Sequence, residues 1–263
     1  MSPVTTRGPE RVLVAVAHGS AVPQAAGTIA DLMTVVAERA ARRGVDLPDL
    51  RIAYLSHALP SLLQVMSTLA PGTQVTVMPL LLTAADHSKT DIPGMLGAFP
   101  RLRVSYGAPL GPHPLLTRAL EHRLAEADPG VLEDPAQTGV VLAAAGSSDP
   151  DADAAIAHLA ARWQARAGWF AVRPAYASAA SPDPATAVAS LLRDGARRVV
   201  VASYLLAPGY FADRIRDASL AAGAAAVSPV LGASAELADV LLDRFRSYAT
   251  SPSSAIDAFA ESR

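Results

Sequence analysis

The stretch "LLLTAADHSKTDIP", residues 80–93, ends an apolar run at Thr83 and then sets Asp86, His87, Ser88 and Lys89 side by side. Lys89 is the only lysine in the chain. Another apolar run leads into "VAHGS", residues 16–20, which carries His18, Gly19 and Ser20. A third leads into "YLSHALP", with Ser56 and His57. Imidazoles beside a carboxylate, hydroxyls and a cation allow three chemistries. Two imidazoles with a carboxylate or water can hold Fe, Co, Ni or Zn and leave coordination positions open. They can also move protons near neutral pH. The third is nucleophilic attack on phosphate, which usually calls for an arginine at the first strand end; here Ala17 precedes His18. The chain has no cysteine, which removes thiolate ligands, thiolate nucleophiles and disulfides and fits a reducing, cytoplasmic setting.

For these groups to act together, the chain must bring distant strand ends to one place. The runs at about 11–17, 50–55, 74–82 and 102–107 are nearly continuous in Val, Leu and Ile, as in parallel strands covered on both faces. Between the first two, Ile29, Leu32, Met33, Val36 and Ala40 recur at three- and four-residue steps, which predicts a helix that Gly44 stops. Alternating strands and helices imply an open parallel α/β sheet with right-handed crossovers. Such sheets bind ligands beyond the carboxyl ends of their strands. His18, His57, Asp86 and His87 all follow strands, so they share that edge. Gly19 permits a sharp turn, Ser20 can cap the next helix, and the free N–H groups there suit an anion.

The pattern is written twice. "RIAYLSHALP" has a partner in "RPAYASAASP", "VMPLLLTAADHSKTDI" in "VASYLLAPGYFADRI", and "LGPHPLLTRALEHRL" in "LGASAELADVLLDRF". Their starts lie 122, 124 and 121 residues apart, in the same order. We therefore expect two copies of one domain, at 11–126 and 138–248, joined by "EADPGVLEDPAQT" and followed by a loosely held tail from 249. The second copy keeps the frame, with "AAGSSDPD" at residues 144–151, but not the imidazoles. His18 aligns with Gly146 and His87 with Phe211, and this joint loss suggests that the two histidines act as a pair.

Composition narrows the partners. Hydrophobic residues make up 51% and charged residues 17%, which supports a folded core. The formal net charge of −2 offers no basic excess for nucleic acid or an anionic membrane. The apolar runs are too short to span a bilayer, and the first ten residues lack the apolar stretch of a secretory signal.

Taken together, "VAHGS", "PLLLTAADHSKTDIP", "LGPHPLL" and the pair "AAGSSDP" and "YLLAPGYFADR" resemble the class II tetrapyrrole chelatases, most closely the two-repeat sirohydrochlorin chelatase type. The resemblance covers nearly all of residues 11–245. It implies a chelatase-like fold in which sirohydrochlorin, a tetrapyrrole with eight carboxylates, lies between the two domains. A divalent metal, Fe²⁺ for siroheme or Co²⁺ for the cobalamin route, enters it as substrate without ATP and without an organic cofactor. His18 and His87 match the family's active-site histidines. Gly19, Ser20, Ser88, Lys89, Ser147 and Ser148 are then candidates to hold the substrate's carboxylates. A monomer is expected, because the fused repeat supplies both lobes.

One position departs from the family. Relatives often carry a glutamate after the second strand, where this chain has Ser56 and His57. Asp86 or His57 would have to replace it at the metal. A non-catalytic tetrapyrrole or metal carrier is the rival reading. Other polar residues have plainer expectations. His113 shapes a loop, His122 lies on a solvated helix face, His158 is on or near the surface, and Asp149 sits at a turn and helix start. Tyr210 and Phe211 stack on a macrocycle or pack inside, Asp213 pairs with Arg214, and Leu81, Leu82, Leu205 and Leu206 belong to the core or form an apolar cleft wall.

Overall fold

The computed structural model describes residues 10–84 and 87–250, apart from the side chains of residues 87, 249 and 250. Asp86 and the tail beyond residue 250 lie outside the described residues. In the first lobe, β1 (Arg11–Ala17), β2 (Asp49–Tyr54), β3 (Gln74–Pro79) and β4 (Arg103–Tyr106) form a parallel sheet in the order β2-β1-β3-β4. Helices α1 (Pro23–Arg43), α2 (Leu62–Ser67), α3 (Ile92–Leu96) and α4 (Pro114–Ala127) connect or follow these strands. A five-residue π-helical turn, His87–Asp91, precedes α3. The second lobe repeats the plan with β5 (Thr138–Ala144), α5 (Pro150–Ala167), β6 (Ala171–Tyr176), α6 (Pro184–Arg193), β7 (Arg198–Ser203), α7 (Tyr210–Ala221), β8 (Ala226–Val227) and α8 (Ala235–Thr250). Its sheet order is β6-β5-β7-β8, again all parallel.

The central strands are apolar because both of their faces are covered. Residues Val12–Ala17 of β1 and all of β5 are buried. On α1, Ile29, Leu32, Met33, Val36 and Ala40 form the buried stripe that their spacing predicts. Gly44 closes the helix in the left-handed conformation at φ 63°, and its N–H donates to the carbonyls of Ala40 and Ala41. The expected strand 74–82 is shorter in the structure. Leu80 N–H makes the last contact with β1, donating to Val16 O at 2.7 Å, and beyond it Leu81 O accepts from Leu110 N–H. β1 ends at Ala17, so Leu81 and Leu82 have no ladder to continue.

The lobes exchange their last helices. Helix α4 packs on β7 and β8 of the second sheet, while α8 packs on α1 and β3 of the first. One hydrophobic core therefore runs through both lobes, from Leu32 and Val36 through Leu120 to Trp163 and Leu241. The outer face of each sheet has its own smaller core, around Met66 and Ile92 in one lobe and Val188 and Leu191 in the other. Among the described residues, no helix is long and apolar enough to cross a membrane.

Candidate active site

The carboxyl ends of β1, β2 and β3 face those of β5, β6 and β7 across a cavity of about 780 Å³ that both lobes line. His18 reaches it directly from β1. Gly19 then turns the chain at φ 94°, and a β-carbon there would lie 1.8 Å from Ser56 O, so the turn admits only glycine. Ser56 locks the same corner: its N–H donates to His18 O at 2.9 Å. Its hydroxyl donates to His18 O at 3.2 Å and lies 3.4 Å from His18 Nδ1. His57 follows, also on the cavity wall, and its ring stacks with His18 at a centroid distance of 6.4 Å and an interplanar angle of 26°. His18 and His57 thus share the strand-end edge on which the sequence places them.

The second lobe carries the same corner without imidazoles. Gly146 turns at φ 86°, and a β-carbon there would lie 1.9 Å from Ser178 O. Ser178 N–H donates to Ala145 O at 2.9 Å. This corrects the repeat register by one residue: Gly19 matches Gly146, and His18 matches Ala145. The glycines fix it, because only they tolerate the turn. Ala179 at φ 60° matches His57 at φ 58°. Ser20 and Ser147 also match, each accepting an N–H two residues ahead, from Val22 at 3.1 Å and from Asp149 at 3.0 Å.

The residues after β3 behave differently from one another. His87 opens the π-helical turn. That turn absorbs one extra residue, because Leu80 and Tyr204 are 124 positions apart while the buried Ile92 and Ile215 are 123 apart. Ser88 is 5% exposed, and its carbonyl accepts from Tyr106 Oη at 2.9 Å. It is buried in the first lobe and is not among the described residues that line the cavity. Lys89 crosses to the second lobe, donating to Asp149 Oδ2 at 2.7 Å with Asp151 Oδ2 at 3.5 Å. The Lys89 hydrogen bond, helped by Asp151 N–H, holds the Asp149 carboxyl below the usual carboxylate range, and Asp149 in turn raises the Lys89 ammonium. Asp149 also caps α5, so the pair ties that helix start to the π-turn.

The apolar part of the cavity comes from the four leucines for which the sequence allows either a core place or a cleft wall. Leu81, Leu82, Leu205 and Leu206 all line it. Beneath them Tyr204, almost fully buried, donates across the lobes to Leu82 O at 3.0 Å. At the rim, Gly209 comes close enough to the first lobe that a β-carbon there would lie 3.3 Å from Ser20 Oγ. This sets Tyr210 and Phe211 beside the His18-Gly19-Ser20 turn as an exposed aromatic pair, 67% and 37% accessible, with centroids 5.5 Å apart. Ser147 and the more exposed Ser148 line the second-lobe wall.

Asp153 also lines the cavity and was not anticipated from sequence. Burial raises its pKa, an interaction with the Ser147 backbone lowers it, and the nearby Asp149 charge raises it further. The available signal was an acid in the first turn of α5 where the corrected repeat puts Ala26. Away from the cleft, His113 Nδ1 accepts from Leu115 N–H and caps α4, and His122 pairs with Glu236 at 2.7 Å. Asp213 pairs with Arg216 rather than Arg214, because three residues along a helix bring two side chains onto one face. Among the described residues, no three of His, Asp or Glu are grouped to hold a metal.

Two parallel α/β lobes from one duplication, with an imidazole-bearing strand-end corner facing a bare one across a shared cavity, define a two-repeat class II chelatase. The CbiX family profile matches residues 12–127 and 139–248, and the chain belongs to that family. It is 28% identical to a sirohydrochlorin ferrochelatase of Priestia megaterium over 77% of this chain and 75% of that protein. A sirohydrochlorin cobaltochelatase of the same organism is 30% identical over 62% of this chain but 56% of its own length. The solved structure of SirB from Bacillus subtilis with Fe³⁺ superposes with a TM-score of 0.75 at 26% identity, covering 94% of this chain and 98% of that one.

Proposed function

We propose that this chain is a sirohydrochlorin chelatase that inserts a divalent metal, Fe²⁺ in the first instance, into the tetrapyrrole within the inter-lobe cleft. The observation that carries the reading is the His18–His57 stack on a cavity that both lobes line, in a chain whose second lobe lacks both rings. Insertion exchanges two pyrrole N–H protons for one M²⁺, so the site must present the metal and accept protons. His18 and His87 present the metal, with His57 or Asp86 taking the place of the absent glutamate. Neutral imidazole suits both tasks. The leucines of the two strand-end loops meet the ring's apolar face, and the Tyr210–Phe211 pair meets its edge. The N–H groups after Gly19, the hydroxyls of Ser20, Ser147 and Ser148, and the Lys89 ammonium receive the peripheral carboxylates. Lys89 does so by exchanging Asp149 for a substrate carboxylate.

Iron is placed first because the ferrochelatase relative matches along three-quarters of its length. Cobalt is the second reading, supported by the cobaltochelatase relative. The test is anaerobic mixing of the pure protein with sirohydrochlorin and either metal, followed by absorbance. Insertion faster than in protein-free buffer is expected, and the faster metal identifies the physiological pair. Ring binding without acceleration would make the protein a carrier.

A further inference from the structure

The cleft contains a carboxylate for which the reading above has no role. Among the described residues that line the cavity, Asp153 is the only Asp or Glu, and none is Lys or Arg. It stands on the second-lobe wall, whereas His18 and His57 stand on the first. The frame does not need an acid there, since Ala26 occupies the matching place on α1 and lines the same cavity. A negative group on this wall repels the peripheral carboxylates of a polyanionic ring. Its presence is favourable only where it meets ring N–H donors or an approaching cation. On one face of a planar macrocycle the incoming metal and a proton acceptor compete for the same space over the ring nitrogens. With imidazoles on one wall, the opposite wall is where a base reaches the pyrrole N–H groups.

We propose that Asp153 is a catalytic base of metal insertion, taking a pyrrole proton on the ring face opposite the histidines. This rests on the chelatase reading. In the step the N–H bond breaks, an O–H bond forms on the carboxylate, and the freed nitrogen lone pair binds M²⁺. The second proton goes to an imidazole, and both protons then pass to solvent. Burial shifts the acid toward basicity. The charged and titratable groups around it are Asp149 with its partner Lys89, Tyr176, whose hydroxyl donates to Asp153 O, and the two histidines across the cavity.

Asp153→Asn separates this role from a structural one. Asparagine keeps the size and an oxygen to face the Ser147 backbone but cannot take the proton. The expected result is a fall in kcat of about 100-fold, with metal-free sirohydrochlorin binding unchanged or tighter as repulsion is relieved. Asp153→Ala, which copies Ala26, should behave alike and tests the same point if the asparagine variant folds poorly. A kcat within about twofold of wild type, or a loss of ring binding that matches the loss of rate, overturns the assignment. Failure of the wild type itself to accelerate insertion would instead overturn the chelatase reading.

Discussion

His57 adopts a left-handed backbone at φ 58°, which costs a residue with a β-carbon about 1 kcal/mol or more. Ala179 has the same conformation at the matching corner, so the strain belongs to the repeat's frame and the imidazole is an addition to it. The substitution His57→Ala therefore installs what the second lobe already tolerates. We expect its melting temperature to stay within about 2 °C of wild type, while metal insertion slows by about tenfold; an unchanged rate would remove His57 from the site. His18, Ser20 and His57 were legible in the sequence because each directly follows an apolar strand, and strand ends of a parallel sheet meet at one edge. The surroundings of Ser88 and Lys89 were not legible, for physical reasons. An extra residue in the π-turn puts Ser88 inside, and the partner of Lys89 lies 60 positions away on the other lobe, beyond any local pattern.

Helices α1 and α8 are held together by a shared carboxylate as well as by apolar packing. Arg39 donates to both oxygens of Asp239 at 2.6 and 2.5 Å, and Arg43 bridges Asp239 and Asp243 at 3.0 and 2.6 Å. The Arg39 hydrogen bonds, supported by both guanidinium charges against some burial, keep the Asp239 carboxyl below its ordinary range. A depressed folded-state value gives stability that is complete above the unfolded carboxylate's pKa, near 4, and lost as pH falls through the folded one. Asp239→Asn should cost about 1–3 kcal/mol at pH 7, and the gap to wild type should close as pH drops below about 4. Urea titrations at several pH values measure this, and a gap independent of pH would contradict it. The helices themselves were well marked, α1 by its stripe and its Gly44 stop. The π-turn was not, because no periodicity separates it from an α-helix over five residues. The third strand was read three residues too long, because apolar loop residues lining a cavity look like buried strand.

The repeat in the sequence is not the packing unit of the molecule. Each copy ends in a helix that completes the other lobe, and the core continues through both. Sequence periodicity reveals that a chain is duplicated, but it carries no sign of which copy covers which sheet. A chain cut between residues 129 and 134 should remain associated in buffer, and either fragment expressed alone should be insoluble or pair with a second copy of itself. Size exclusion of the cut and separate fragments checks this, and a stable monomeric fragment of residues 10–128 would contradict the exchange. The same duplication supplies the central claim, that one lobe does the chemistry while the other completes the cavity. Its most direct test is single-turnover metal insertion into sirohydrochlorin by wild type, His18→Ala and His87→Phe, the latter two copying Ala145 and Phe211 of the second lobe. Fast insertion by wild type and near-buffer rates in both variants, with ring binding kept, is the predicted result. Wild-type rates in either variant would contradict the account.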